Sequence, residues 1–162
     1  MPAELAQSLE RAVAFEAVNL SALTDEQTVV RPAGAGSWSP KQELGHLIDS
    51  AVNNHLRFVR ASLDGEYSGP GYDQDGWVRA HGYHDSPWQN LIDAWRQHNA
   101  ALVQAINRIP EDRLPAPCVI GRAAPVTLRF IVEDYILHMQ HHLDHILHRE
   151  EITQYPGAAA GI

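Results

Sequence analysis

The chain has 162 residues, of which 44% are hydrophobic, and its formal net charge at pH 7 is −8. This length fits one domain with its own core, and the acidic balance disfavours nucleic acid as a partner, because phosphate binding needs a basic face. The lone Cys118 cannot form an internal disulfide. No apolar run approaches the roughly 20 residues of a membrane span, and the N-terminus lacks a signal-peptide pattern. We therefore expect a cytoplasmic protein with no membrane partner.

The first predicted element is a helix near the N-terminus. Apolar side chains recur at helical spacing over residues 3–23 and indicate an amphipathic helix there. Residues 24–37 follow as a connection, because Pro32, Gly34 and Gly36 interrupt regular structure. The sequence therefore predicts one helix and then an irregular link.

A second helix begins with a clear N-terminal signal. Ser39 precedes Pro40, and Gln42 lies three residues after the serine. Serine and glutamine at this spacing form a capping box, and proline is favoured at the first helical position. We predict a helix from Pro40 to about Leu63.

A polar stripe centred on His46 runs along this second helix. At about 100° of rotation per residue, five polar side chains lie within about 60° of His46 around the helix axis: Asp49, Ser50, Asn53, Arg57 and Arg60. Apolar side chains cover most of the remaining circumference and are expected to be mostly buried: Leu44, Leu47, Ile48, Val52, Leu56, Phe58, Val59 and Leu63. The stripe is either a solvent-facing edge or the wall of a polar pocket.

Residues 66–85 form a long connection rich in glycine and aromatic residues. Connections of this length in compact domains are usually functional loops or disordered linkers. Its four large aromatic side chains favour packing: Tyr67, Tyr72, Trp77 and Tyr83. Residues 73–80 predict a short helix within it, and the segment is a candidate cover for the mouth of a pocket.

A third helix is predicted where the serine–proline start signal recurs at Ser86 and Pro87, and it ends before Pro110. Its apolar face is typical of core packing and comprises Trp88, Leu91, Ile92, Trp95, Leu102, Ile106 and Ile109. Residues 111–126 form a proline-containing link, and Thr127 can cap the fourth helix.

Four long helices without a convincing strand predict an all-α fold. The architecture is a four-helix bundle, and its second and third connections are long enough to cross the bundle. We assign residues 1–154 to one domain. Residues 155–162 are small and contain glycine, so we predict that they form a loose tail.

The last long helix, predicted over Ile131 to Arg149, is rich in histidine: His138, His141, His142, His145 and His148. Histidines three or four apart share a helix face and can bind one metal ion together. With His138 set to zero, His142 falls at about 40°, within the apolar arc. This geometry favours His138 and His142 as the buried pair, with His141 and His145 as the alternative.

A histidine pair needs a further ligand, and His46 on the earlier helix is the obvious donor. Three neutral imidazoles suit zinc, nickel, iron(II) or copper, and the ligand set does not choose among these divalent ions. Asp49, one turn after His46, is a candidate catalytic residue that either orients an imidazole or acts as a base; its plainer interpretation is a solvated carboxylate.

Arginines are the remaining candidate binding residues. Arg57, Arg60 and Arg79 can each receive a carboxylate from a small ligand. We take Arg57 and Arg60, on the polar stripe, as the candidates for binding a small cofactor, although most arginines are surface charges.

Two segments resemble the second-helix and last-helix motifs of a known family. The first comprises Trp38-Ser39-Pro40, then Glu43-Leu44-Gly45-His46-Leu47-Ile48-Asp49-Ser50 and Asn53-Asn54-His55. The second comprises Asp134-Tyr135 and His138-Met139-Gln140-His141-His142-Leu143. Both resemble the metal-site motifs of the DinB-like (YfiT-like) metalloenzymes. The resemblance implies a four-helix bundle, the ligand set His46, His138 and His142, and a homodimer.

The resemblance also suggests chemistry. Characterised relatives include transferases and isomerases that use low-molecular-weight thiols such as bacillithiol or mycothiol, so we expect a metal-dependent S-transferase that joins a thiol to a small electrophile. A metal-dependent hydrolase and a non-enzymatic metal-binding stress or interaction protein are the alternatives. The sequence departs from the expected pattern at Ala51, where an acidic residue is usual, and in its additional histidines.

Overall fold

The computed structural model describes residues 1–32 and 36–160, so that Gly34 and residues 161–162 lie outside the described part. Its helices are α1 (Pro2–Ser21), α2 (Asp25–Val29), α3 (Pro40–Asp64), α4 (Gln74–His81), α5 (Trp88–Asn107), α6 (Leu128–Ile146) and α7 (Gly157–Ala160), and its strands are β1 (Tyr67–Gly69), β2 (Pro117–Ile120) and β3 (Val126–Thr127).

The four long helices form the predicted bundle. Helix α1 packs against α5 and α6, and α3 packs against the same two helices. Helices α1 and α3 therefore lie at opposite corners, so the connection between them crosses the bundle, whereas the connection after α3 leads to the neighbouring helix α5. The core between them is filled by large apolar side chains, among them Leu9, Leu44, Phe58, Trp95, Leu102 and Leu143.

Local signals set the helix boundaries. Ser39 caps α3 with Gln42 in the predicted capping box. The helix ends at Asp64 and is followed by Gly65, whose φ of 79° is in the left-handed region. Thr127 caps α6 as expected. The predicted end of this helix at Arg149 is wrong, because the helix ends at Ile146 and His148 adopts a φ of 53°.

The expectation of no strand is corrected by a small three-stranded sheet. Strand β1 pairs with β2 in parallel, and β2 pairs with β3 antiparallel. Each strand has two to four residues, which is too short to produce a recognisable alternation in sequence. The sheet joins the connection after α3 to the one before α6, and so fixes both beside the bundle.

The polar stripe of α3 is the wall of a pocket rather than a solvent edge. His46, Asp49, Ser50 and Arg57 are 0%, 1%, 3% and 6% exposed. The expectation that the apolar side chains of α3 are mostly buried is wrong for four of them, because these residues are exposed: Val52, Leu56, Val59 and Leu63. Helix α3 thus turns a polar face inward and presents part of its apolar face to solvent.

The C-terminal segment packs against α6, although the sequence predicts a loose tail from residue 155. The ring of Tyr155 contacts the rings of His138 and His141, and the Gly157 N–H donates to the Asp134 carboxylate. These contacts join residues far apart in sequence, which composition does not reveal. Among the described residues, no helix combines the length and apolar character needed to cross a bilayer.

Gly45 is a position where the fold requires the absence of a side chain. A Cβ atom there would overlap the buried ring of Tyr83, whose hydroxyl donates to Asp49. We expect Gly45→Ala to lower the free energy of unfolding by about 1–2 kcal/mol, because overpacking outweighs the gain in helix propensity. Urea unfolding measures this, with Gly71→Ala as the control, since no atom lies within 4 Å of a Cβ there. Equal stability of the Gly45→Ala and wild-type proteins would contradict the packing argument.

Candidate metal centre

Three histidines from two helices meet inside the bundle. His46 of α3 faces His138 and His142 of α6, and one ligand atom from each lies within 4.8 Å of the other two. The Nε2 atoms of His46 and His138 are 3.1 Å apart. The ring centroids of the three pairs are separated by 5.1, 4.7 and 4.6 Å. We call His46, His138 and His142 the histidine triad.

The packing of α3 on α6 positions the triad. His138 and His142 are one turn apart on α6, so their side chains project from one face of this helix. His46 enters from the buried polar stripe of α3, and the Trp38 ring lies 4.9 Å from its imidazole. The triad is therefore held between two rigid helices, with an aromatic ring on its outer side.

Burial keeps these imidazoles uncharged. Desolvation, with contributions from the other two rings, lowers the pKa of His46 to about 2. Desolvation also lowers the pKa of His138 to about 3. The pKa of His142 falls to about 3 for the same reason, although the Glu43 carboxylate beside it favours the charged ring. Neutral imidazoles carry the lone pairs that a metal ion requires.

Glu43 fixes the orientation of His142. The Glu43 Oε1 atom lies 2.8 Å from His142 Nδ1 and 3.2 Å from His145 Nδ1. Because a carboxylate accepts, His142 donates its Nδ1–H and leaves the Nε2 lone pair for the triad. Burial raises the pKa of the Glu43 carboxyl, which His145 opposes. A carboxylate that holds a metal-binding imidazole in this way is a common supporting contact in metal sites.

The alternative pair, His141 and His145, is directed elsewhere. His141 Nδ1 lies 2.6 Å from the Thr153 carbonyl oxygen, to which it donates. His145 is 43% exposed in its side chain and contacts Glu43. His145 does form a second cluster of possible ligands with Glu43 and His142. We interpret this cluster as support for His142, because its shared atoms already form hydrogen bonds.

The triad fits a divalent metal ion. Two imidazole nitrogens 3.1 Å apart share at most one hydrogen bond, whereas metal–nitrogen distances of about 2.0–2.1 Å place both beside one ion. His46 Nδ1 is buried and has no hydrogen-bond partner among the described residues, so the imidazole is not fixed by a protein acceptor. His46, His138 and His142 would hold the ion.

Asp49 lies next to the triad in sequence but is held by other residues. The Tyr83 hydroxyl donates to its Oδ1 atom at 2.6 Å, and His81 Nδ1 lies 3.4 Å away. Its Oδ2 atom is buried without a hydrogen-bond partner among the described residues. Burial raises the pKa of Asp49, while Tyr83 and His81 oppose the shift. The structure therefore holds Asp49 against Tyr83 and His81, and its catalytic role stays a prediction.

The two candidate arginines differ in position. Arg57 lines a narrow space of about 30 Å³ that it shares with His138, and an adjoining cavity of about 310 Å³. Arg60 is exposed on α3 and lines neither. Arg79, on α4, is exposed and lies 4.0 Å from Asp73. The structure places Arg57 in a space that His138 also lines and leaves Arg60 and Arg79 on the surface.

Sequence reasoning missed two residues that contact the triad. In the sequence, Glu43 was noted only as part of a motif. Its position three residues before His46 places both side chains on one helix face, and this spacing is a signal that could have identified it. Tyr155 lay in the segment predicted to be loose, and no local signal reveals its contact with His138. Tyr83, which holds Asp49, belongs to the connection that the sequence identified as a candidate pocket cover.

Glu43 provides a test of the metal centre. We expect Glu43→Gln to weaken binding of zinc or nickel by about 10-fold or more, because the neutral amide holds the His142 Nδ1–H less firmly. Competition with a chromophoric chelator measures the affinity. Glu133→Gln is the matched control, because Glu133 contacts Arg129 on the exposed face of α6. Unchanged affinity in Glu43→Gln would show that this carboxylate does not support a metal ligand.

The low pKa values of His46 and His138 predict a pH dependence for the metal-free protein. Both rings stay neutral in the folded chain, whereas in the unfolded chain they bind protons below about pH 6.5. Stability is therefore complete above pH 6.5 and falls as the pH decreases, by about 1 kcal/mol per histidine between pH 6.5 and 5.5. Denaturant unfolding with a chelator present measures this. His46→Gln should reduce the dependence by the contribution of one histidine, whereas Gln140→Ala should retain all of it. An identical slope in all three proteins would contradict the assignment.

Comparisons with known proteins agree with this fold. The family model described as the DinB superfamily matches residues 7–146. A protein of Oceanobacillus iheyensis named "Putative metal-dependent hydrolase" is 28% identical over 127 residues, which cover 78% of this chain and 72% of the relative.

A solved structure has the same architecture. YfiT from Bacillus subtilis, described as "a probable metal-dependent hydrolase with an unusual four-helix bundle topology", aligns with a TM-score of 0.80 at 19% identity, over 91% of this chain and 84% of that one. At this identity the likeness demonstrates the fold alone. Because the family match spans most of the chain, the protein belongs to the DinB superfamily and has the YfiT type of four-helix bundle.

Proposed function

We propose that this protein is a divalent-metal-dependent S-transferase that joins a small thiol to a small electrophile at the histidine triad. The observation that supports this most directly is the convergence of three neutral imidazoles, with ligand atoms within 4.8 Å of one another, of which His46 is fully buried and His142 is 14% exposed in its side chain. Three protein ligands leave a coordination position for a reactant, as in catalytic metal sites.

A divalent ion held by the triad would lower the pKa of an added thiol, so that the thiol reacts as thiolate at neutral pH. In a reaction with a haloacetamide, a sulfur–carbon bond forms, the carbon–halogen bond breaks, and halide leaves with the bonding electron pair. The thiol proton passes to solvent. The chain's own contribution is to keep the imidazoles neutral, to orient His142 through Glu43, and to limit water around the reacting atoms.

The surrounding carboxylates favour a thiol over water as the nucleophile. Water attack commonly uses a carboxylate as general base beside the metal. Here Glu43 accepts from His142, Asp49 accepts from Tyr83, and Asp134 accepts from the Gly157 N–H. A thiol would need no such base, because a bound divalent ion would lower its pKa enough for the proton to pass to solvent at neutral pH.

A metal-dependent hydrolase is the second candidate, and one observation favours it. Asp49 Oδ2 is buried without a partner among the described residues, and burial raises the pKa of this carboxyl toward that of a useful base. The relatives' names, which describe metal-dependent hydrolases, also support this alternative. In that reaction the ion would activate water in place of a thiol.

Thiol consumption tests the proposal. Zinc- or nickel-loaded protein should consume small thiols with iodoacetamide faster than the chelator-treated protein, and His142→Ala should lose about 100-fold of this rate with loss of stoichiometric metal. Iodide release and thiol loss are both measured. His98→Ala, a partly buried histidine on α5, is the control.

Two outcomes would contradict the S-transferase proposal. The first is equal rates for wild type and His142→Ala with every thiol tested. The second is metal-dependent cleavage of ester or amide substrates that depends on Asp49 and His142 without any thiol reaction, which would establish the hydrolase.

A further inference from the structure

Arg57 is a buried cation with no ion pair among the described residues. The residue is 6% exposed, and its Nη1 atom donates a hydrogen bond to Asn54 Oδ1 at 3.3 Å. A guanidinium has five N–H donors, and a neutral amide does not balance its charge. Burying an unpaired charge is costly, so Arg57 is a position where an anionic ligand would stabilise the protein.

The cavities place this cation between the triad and a chamber large enough for a ligand. Arg57, Tyr72 and Gln74 line both the 310 Å³ cavity and the 30 Å³ space that reaches His138. The larger cavity is closed on another side by Tyr155 and Gly157 from the C-terminal segment. A ligand in this chamber would therefore contact Arg57, and the narrow space of about 30 Å³ lies between Arg57 and His138.

The neighbouring groups are suited to an anion. Asn54 donates its amide to the Ser50 carbonyl and hydroxyl oxygens, so that its own oxygen is directed at Arg57. Burial raises the pKa of Tyr72, which therefore stays uncharged, and its hydroxyl shares a hydrogen bond with Ser50. The opposing charge is Asp134, which lines the narrow space but not the larger cavity, and its carboxylate accepts from the Gly157 N–H.

The spacing along α3 defines the length of the ligand. Arg57 lies eleven residues after His46, which corresponds to about 16 Å of helix rise. Helical side chains lean toward the N-terminus, so the guanidinium reaches back toward the triad. A ligand that touches both needs several bonds between its anionic group and its reacting atom.

We propose that Arg57 binds the carboxylate of a small substrate whose reacting end lies at the histidine triad, so that the protein selects carboxylate-bearing reactants several methylene groups long. The carboxylate belongs to the thiol or to the electrophile, and planar guanidinium and carboxylate groups are matched in geometry. This inference rests on the proposed function, because it takes the bound carboxylate to be part of a substrate.

A binding experiment tests Arg57 without any turnover. The probes are 6-(methylthio)hexanoate, which is an unreactive carboxylate, and its methyl ester, measured by calorimetry on the zinc-loaded protein. We expect Arg57→Gln to weaken binding of the acid by about 10- to 100-fold and to leave the ester nearly unchanged. Arg57→Lys should retain part of the preference for the acid. Arg60→Gln, an exposed arginine one turn away, should behave as wild type.

Turnover identifies which reactant carries the carboxylate. One arm compares 6-mercaptohexanoate with its methyl ester, using iodoacetamide as electrophile. The other compares 6-(iodoacetamido)hexanoate with its methyl ester, using 2-mercaptoethanol as thiol. In the arm that contains the true carboxylate position, Arg57→Gln should raise KM for the acid by about 10-fold or more, with little change in kcat.

The outcomes separate this inference from the proposed function. If Arg57→Gln selectively loses binding of the acid but the wild-type protein shows no thiol turnover, the carboxylate site is supported and the S-transferase proposal is overturned. Turnover with unchanged acid binding in Arg57→Gln overturns the carboxylate site alone. Equal losses for acid and ester, or the same loss in Arg60→Gln, would also overturn it, because the effect would then come from altered folding or from overall charge.

Discussion

The structure depends on the burial of three uncharged imidazoles where α3 crosses α6. Burial removes the water that would stabilise an imidazolium, and each ring disfavours a positive charge on the next, which is why the pKa values of His46 and His138 fall so low. Neutral rings keep their lone pairs, yet two Nε2 atoms 3.1 Å apart can share one proton at most. The third lone pair, on His142, then lacks a donor. A single cation between the three nitrogens satisfies all of them at once, so the arrangement that makes protonation unfavourable is the one that favours a metal ion.

The groups around the triad are fixed by segments distant in sequence. The end of α6 is held by Arg149, which donates to Glu16 at 2.8 and 2.7 Å and to Asp144 at 2.8 Å. Thr153 donates to the second oxygen of the same Asp144 through its N–H and its hydroxyl. This network ties the segment after α6 to α1, and it brings Tyr155 over His138. A metal site retains its geometry when its supporting contacts are rigid, and here rigidity comes from charged contacts outside the site.

Much of the bundle and the triad could be predicted because helical geometry is local. The rotation per residue is fixed, so the spacing of His138 and His142 determines their common face before any tertiary contact is known. The same argument failed for Leu56 and Leu63, since the inward face of a helix depends on its neighbours, and α3 is buried along its polar side. It also could not separate Arg57 from Arg60, which lie one turn apart on one stripe. The sheet and the pairing of Glu43 with His142 join segments far apart in sequence, and no local pattern encodes them.

The local charge of the site differs from that of the whole protein. A net charge of −8 repels anionic reactants at long range, so their selection must come from short-range contacts. The three nearby carboxylates, Glu43, Asp49 and Asp134, each accept a hydrogen bond from the protein, which spreads their charge over fixed donors. Arg57 has no such ionic partner among the described residues, and its burial places it in a medium where charges interact more strongly than at the surface position of Arg60. Arg57 therefore gives an acidic protein a buried cationic group in a space that also reaches His138.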